Sequence, residues 1–129
     1  MKTSQPVRLD HNWHTYITLP RTSWEPWKRY YGEVCPHGRQ IVLVDGTHVR
    51  NTFNSDFSQG GNGYAYADFI PKNEIWIDWH IPEDEWPFIA FHECEEIEHM
   101  KKGDSYLVAH DKAKRSEDRF RHMFSSLYR

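Results

Sequence analysis

The stretch from Ile81 to Leu127 constrains the fold more than any other part of the chain, because its helical signals break at only one place. "PEDEWPFIAFHECEEIEHMKK" opens with acids and closes on Lys101 and Lys102, the order that a helix macrodipole favours. Gly103 follows as a C′ residue, and Asp104 or Ser105 can cap a second helix that runs to about Leu127. The pair forms an αα-hairpin. Upstream the periodicity changes. "EIWIDWH" alternates Ile75, Ile77 and Trp79 against Trp76 and Asp78, which predicts a strand, and "YAYADFIP" alternates aromatic with small residues, which predicts another. Between them Pro71-Lys72-Asn73 reads as a turn, and residues 54 to 63 read as loop. The run Ile41 to Val44, the Asp45-Gly46 pair and the continuation through Val49 carry a hairpin signal. The expected fold class is therefore α+β, a small antiparallel β-sheet or hairpin followed by an αα-hairpin.

The first 39 residues read as an aromatic-rich extension packed on a domain of residues 40 to 129. Within it "TSWEPWKRYYGE" predicts a short helix with Thr22 or Ser23 as N-cap and Gly32 as its end, which would align Trp24, Trp27, Tyr30 and Tyr31 for docking. A chain of 129 residues can bury one core, and aromatics at 16% suggest a core built from a few large rings. A net charge of -3 provides no basic footprint for nucleic acid. The uncharged apolar runs are far too short to span a membrane. "MKTSQPVRLDHNWH" lacks the apolar core of a signal peptide, so a cytoplasmic location is expected. Cys35 and Cys94 form no C-x-x-C pair, which argues against a thiolate zinc site; two reduced thiols are expected, with a single disulfide left open.

"FHECEEIEHM", residues 91 to 100, raises the functional question. On a helix His92, Glu96 and His99 fall within about 60° of one another, with Glu95 just to one side. A merely solvated face would carry lysines in i, i+4 pairs with these acids, yet none appears before Lys101. Stacked acids repel unless a cation lies between them. His92-Glu93-x-x-Glu96 is H-E-x-x-E, a variant of the H-E-x-x-H helix in which residues i and i+4 grip zinc and the Glu after the first His acts as general base. Glu93 is thus the candidate base.

The helical hairpin offers a third ligand. Glu96 precedes Gly103 by as many residues as His110 follows it, which puts both about 10 Å from the turn. Its rival, His99, is about 10 Å along the axis from His92, a long span for one tetrahedral ion, so His110 is preferred. Tyr106, one turn before His110, could polarise a carbonyl or stabilise an oxyanion. Asp111 and Glu117 are candidate partners for the histidine rings. Zinc suits two histidines and a glutamate best, with iron or manganese as other occupants.

The order "VDGTHVRNTF", "GGNGYAYADFIPKNEIWID" and "HECEEIEHMKKGDSYLVAHDKA" resembles a group of small bacterial and phage proteins that look like minimal zincin-type metallopeptidase domains. Their shared pattern is V-D-G-x-x-V-R, a Y-I-P-x-x-E-I-W-I-D strand, and H-E-x-x-E followed by M-x-x-G-x-x-Y-x-x-A-H. The resemblance covers roughly residues 41 to 118, and Phe69 departs from it where the group tends to have Tyr. It implies His92, Glu96 and His110 as metal ligands and Glu93 as base. It also raises Glu74 to Asp78 as an edge strand for an extended peptide, against the plainer reading of a buried internal strand. Gly60, Gly61 and Gly63 read as a flexible lip or, more simply, as turn residues.

Two functions compete. One is a zinc-dependent hydrolase, a metallopeptidase acting on a peptide or protein substrate. The other is a non-catalytic module on the same scaffold, with or without a structural ion, whose exposed tryptophans bind a protein partner. A carboxylate-bridged di-iron site ranks last, because Glu96-x-x-His99 has no second copy.

Overall fold

The structure is a computed structural model that describes residues 4–8, 16–20, 25–33 and 38–127. Two antiparallel strands, β1 (Ser4–Arg8) and β2 (Tyr16–Pro20), form a separate ribbon that approaches β3 (Lys28–Glu33). Next come β4 (Gln40–Val44), α1 (Gly46–Thr52), β5 (Gly60–Asn62) and β6 (Glu74–Asp78). One 3-10 turn, Glu83–Glu85, leads into α2 (Trp86–Lys101), and α3 (Tyr106–Leu127) follows. The main sheet has the order β3-β4-β6-β5.

The fold is α+β, but the sheet is mixed rather than antiparallel. β4 and β6 run parallel, with Ile41 beside Ile75 and Leu43 beside Ile77, because the chain crosses over through α1 instead of turning back at Asp45-Gly46. Asp45 caps α1, its Oδ1 accepting from the backbone N–H of Thr47 at 3.0 Å. Gly46 does not adopt the positive φ that a tight hairpin turn requires. Its role is close approach. The Gly46 N–H donates to the buried Asp78 carboxylate at 3.1 Å, and a Cβ there would lie 2.1 Å from Asp78 Oδ2.

Two further expectations are corrected. Lys28–Glu33 is an edge strand and not a helix: Tyr30 and Tyr31 pack on opposite faces of the sheet, and Tyr30 donates to Glu74 at 2.9 Å. Thr22, Ser23 and Trp24 lie outside the described residues. "YAYADFIP" forms turns, because Asn62 Oδ1 accepts from the N–H groups of Tyr64 and Ala65, both at 2.9 Å, and draws the chain away from an extended path.

Each face of the sheet carries its own core. Ile41, Leu43, Ile75 and Ile77 pack on Ile89, Ala90 and Ile97 of α2. Val42, Val44 and Trp76 pack on Val49, Phe57 and Ile70. The buried core is thus mainly aliphatic, with Trp76 and Phe57 its only rings among the described residues. The expectation of an aromatic core fails because most rings sit at its margin, as Trp27, Tyr30, Tyr66 and Phe69 do.

α2 ends at a left-handed Gly103, φ 107°, where the Asp104 N–H donates back to the His99 carbonyl at 3.1 Å. α3 then returns along α2. Fully buried Ala109 and Ala113 let the helices approach closely near the turn. Farther along, Phe88 and Phe91 meet Phe120 at ring separations of 5.2 and 4.7 Å. Cys94 is disulfide-bonded, not a free thiol as expected; Cys35 lies outside the described residues. No helix among the described residues is long and apolar enough to cross a membrane.

Because the contact at Gly46 leaves no room for a methyl group, Gly46→Ala should cost about 1–3 kcal/mol in urea denaturation, the usual penalty of overpacking. A midpoint equal to wild type would show that Asp78 is not fixed against α1.

Candidate metal centre

Residues one turn apart on α2 project the same way, so His92 and Glu96 face the seam with α3, and His110 meets them from across it. Three atoms converge. His92 Nε2 lies 3.3 Å from Glu96 Oε2 and 3.3 Å from His110 Nδ1, and His110 Nδ1 lies 3.0 Å from Glu96 Oε2. A tetrahedral zinc ion with bonds of about 2.0–2.1 Å to such ligands has ligand–ligand edges of about 3.3–3.4 Å. The donor chemistry and the spacing therefore fit a small divalent cation. This is the one such ligand cluster among the described residues.

The next layer fixes the donors. Glu117 Oε1 lies 3.0 Å from His92 Nδ1. A carboxylate accepts, so Nδ1 carries a proton; in the neutral ring the Nε2 lone pair then faces Glu96 and His110, and in the protonated ring Nε2 also donates to Glu96. Arg121 Nε donates to Glu117 Oε2 at 2.7 Å, and its guanidinium grips both oxygens of Glu85 at 3.1 and 2.7 Å. On the other side Asn62, on β5, donates to Glu93 Oε1 at 2.8 Å and to Glu96 Oε1 at 2.9 Å.

These contacts set the protonation states. Burial and then the Glu96 charge push the Glu93 carboxyl up to about 8. Burial would also raise Glu96, but hydrogen bonds from His92, His110 and Asn62 outweigh it and hold this carboxyl below its ordinary range. Burial disfavours a charged His92. The bond to Glu96 and the charges of Glu93, Glu96 and Glu117 overcome it and raise the ring.

A cleft of about 220 Å³ opens beside the donors, lined by Ser58, Gln59 and Gly60 on one side and by His92, Glu93, His110, Lys114 and Glu117 among others on the other. Gly60 is no lip. A Cβ there would meet Ile89 at 2.7 Å and the Trp76 carbonyl at 2.8 Å, so β5 sits tight on α2.

The structure brings His92, Glu93, Glu96, His110 and Glu117 to one place and leaves other candidates outside. His99 points to the turn, 3.8 Å from Asp104. Asp111 pairs with Arg115 in solvent. Tyr106 stands beside His110, with ring centroids 5.6 Å apart, exposed and outside the lining of the cleft; burial, then the charges of Glu96, Tyr66 and Glu93, push its phenol up to about 12. Glu74 to Asp78 is an internal strand, buried throughout, and among the described residues the sheet edge next to α2 belongs to β5. Asn62, Arg121 and Glu85 escaped the sequence reading. An Asn after two glycines reads as loop, and the Glu85–Arg121 pair joins positions 36 residues apart.

Comparison with protein-family models, with curated proteins and with solved structures gives no match.

The raised Glu93 and His92 make a prediction for chelator-treated protein. A carboxyl whose folded pKa exceeds its unfolded value stabilises the fold below about pH 4.3 and loses that contribution as pH rises through about 8. The raised His92 acts in the same direction. Urea midpoints in chelator should therefore fall from pH 5 to pH 8, and Glu93→Gln should flatten much of the slope. A wild-type midpoint that is level or rising over this range would contradict these protonation states.

Proposed function

We propose that this chain is a minimal zincin-like, zinc-dependent hydrolase, a metallopeptidase by class, with His92, Glu96 and His110 as ligands and Glu93 as general base. The observation that carries the reading is the triangle of two imidazole nitrogens and one carboxylate oxygen, with edges of 3.0–3.3 Å, beside a cleft that Glu93 also lines. Two imidazoles with one carboxylate rank zinc above iron or manganese, and three protein ligands leave a position open for chemistry.

When bound, the metal supplies Lewis acidity, polarising a carbonyl and acidifying water. The protein does the rest. Glu93 has one oxygen held by Asn62; with a cation offsetting the Glu96 charge that helps to raise it, Glu93 ionises, and its other oxygen can take a proton from water and return it to the leaving amine. Glu117, braced by Arg121, fixes the tautomer and direction of His92. Tyr106 flanks His110, where its phenol, neutral at ordinary pH, can donate a hydrogen bond to a substrate that extends past the cleft. The substrate is a peptide or protein segment. The disulfide at Cys94 favours an oxidising setting over the cytoplasmic one expected from the N-terminal residues.

Elemental analysis should find one tightly bound divalent ion per chain, lost in His92→Ala and in His110→Ala. Stoichiometric metal in both variants would remove the assigned ligands. Glu93→Gln should keep the ion and lose at least 100-fold in hydrolysis of a fluorogenic peptide mixture, in line with removal of a general base. Wild-type turnover in that variant would exclude Glu93 as the base. Bound metal without any turnover in the wild type would favour the non-catalytic scaffold.

A further inference from the structure

We propose that Asn62 is the positioning residue of the centre: its single amide group leaves Glu96 one free oxygen for the metal and Glu93 one free oxygen for the proton, which keeps the ion four-coordinate and the base off it. This rests on the metal-centre reading above.

Asn62 is fully buried on β5, the short edge strand that packs on α2. Its side-chain nitrogen carries two hydrogens, and two carboxyl groups receive them, Glu93 Oε1 at 2.8 Å and Glu96 Oε1 at 2.9 Å. The amide cannot turn over. Its oxygen is taken by the N–H groups of Tyr64 and Ala65, both at 2.9 Å, and a flip would set that oxygen against two carboxylates. The orientation of the donor is thus dictated by the turn that follows β5.

The consequence is a division of labour between two glutamates one helical turn apart. A carboxylate near a cation can bind through one oxygen or both. Glu96 Oε1 is engaged by Asn62, so only Oε2, the oxygen that faces His92 and His110, is available. Without that bond Glu96 can close on the ion with both oxygens, and Glu93 can swing toward the same charge and occupy the position that a substrate needs. No other side chain among the described residues donates to both.

The test is cobalt(II) titration of the intact chain, read by visible absorption. Cobalt(II) reports coordination number, since four-coordinate sites absorb strongly and higher-coordinate sites weakly. Asn62→Asp keeps an oxygen for Tyr64 and Ala65 but removes both donated hydrogens; Asn62→Ala removes everything. Both should bind cobalt about 10- to 100-fold more weakly, the usual cost of losing an outer-shell partner, with a clear fall in band intensity. Should the added charge of Asn62→Asp prevent folding, the swap N62D/E93Q keeps the net charge, restores a donor–acceptor pair between the two positions and still deprives Glu96 of its bond, so it should show the same weakened spectrum. Wild-type affinity and spectrum in the folded variants would overturn the role of Asn62 while leaving the metal centre standing. Failure of the wild type to bind cobalt stoichiometrically would overturn both.

Discussion

Burial of three carboxyl groups and the His92 imidazole against the seam of α2 and α3, with His110 at its exposed side, is the constraint around which the rest of the molecule is arranged. An ion taken out of water costs several kcal/mol unless it is paired and hydrogen-bonded. Here Glu93, Glu96, Glu117 and His92 are all buried, and His110 closes the group from the more exposed side. Each has its partner. Arg121 bridges Glu117 to Glu85, tying the far end of α3 to the entrance of α2. Asn62 brings the sheet to the helix by the same means. What these contacts do not neutralise is the convergence of His92 Nε2, Glu96 Oε2 and His110 Nδ1, three basic atoms that need a proton or a cation between them.

The scaffold follows from that demand. The two helices run close enough for His92 and Glu96 to meet His110, which the left-handed Gly103 and the buried alanines Ala109 and Ala113 allow. α2 is also held firmly on the sheet. Ile89, Ala90 and Ile97 press α2 onto β4 and β6, while Gly60 brings β5 down onto Ile89. The resulting cleft has Ser58, Gln59 and the first residue of β5 on one side and the donors on the other.

The helical half of this structure was readable in the sequence and the sheet was only partly so. Helix signals from 86 to 127 are local: capping at Ser105, a glycine stop, a period of 3.6. The meeting of His92, Glu96 and His110 followed from counting residues on either side of Gly103. The β-half misled because its signals are shared between outcomes. Asp45-Gly46 is both a hairpin turn and a helix cap with a small residue after it, and only the contact with Asp78, 32 residues away, decides between them. Tyr30 and Tyr31 suit a helix face or opposite faces of a strand, and the strand won because Val42 and Ile41 of β4 lie alongside. Asn62 was invisible for the same reason. Its role depends on Glu93 and Glu96, which only the folded chain brings within reach.

The most direct measurement is zinc-edge X-ray absorption on protein purified without a histidine tag, together with its zinc content. The expected result is one zinc per chain with two imidazole nitrogens and one carboxylate oxygen at about 2.0–2.1 Å, a fourth light atom and no sulfur. A sulfur scatterer, a shell of oxygens alone, or zinc well below one per chain would contradict a centre built by His92, Glu96 and His110.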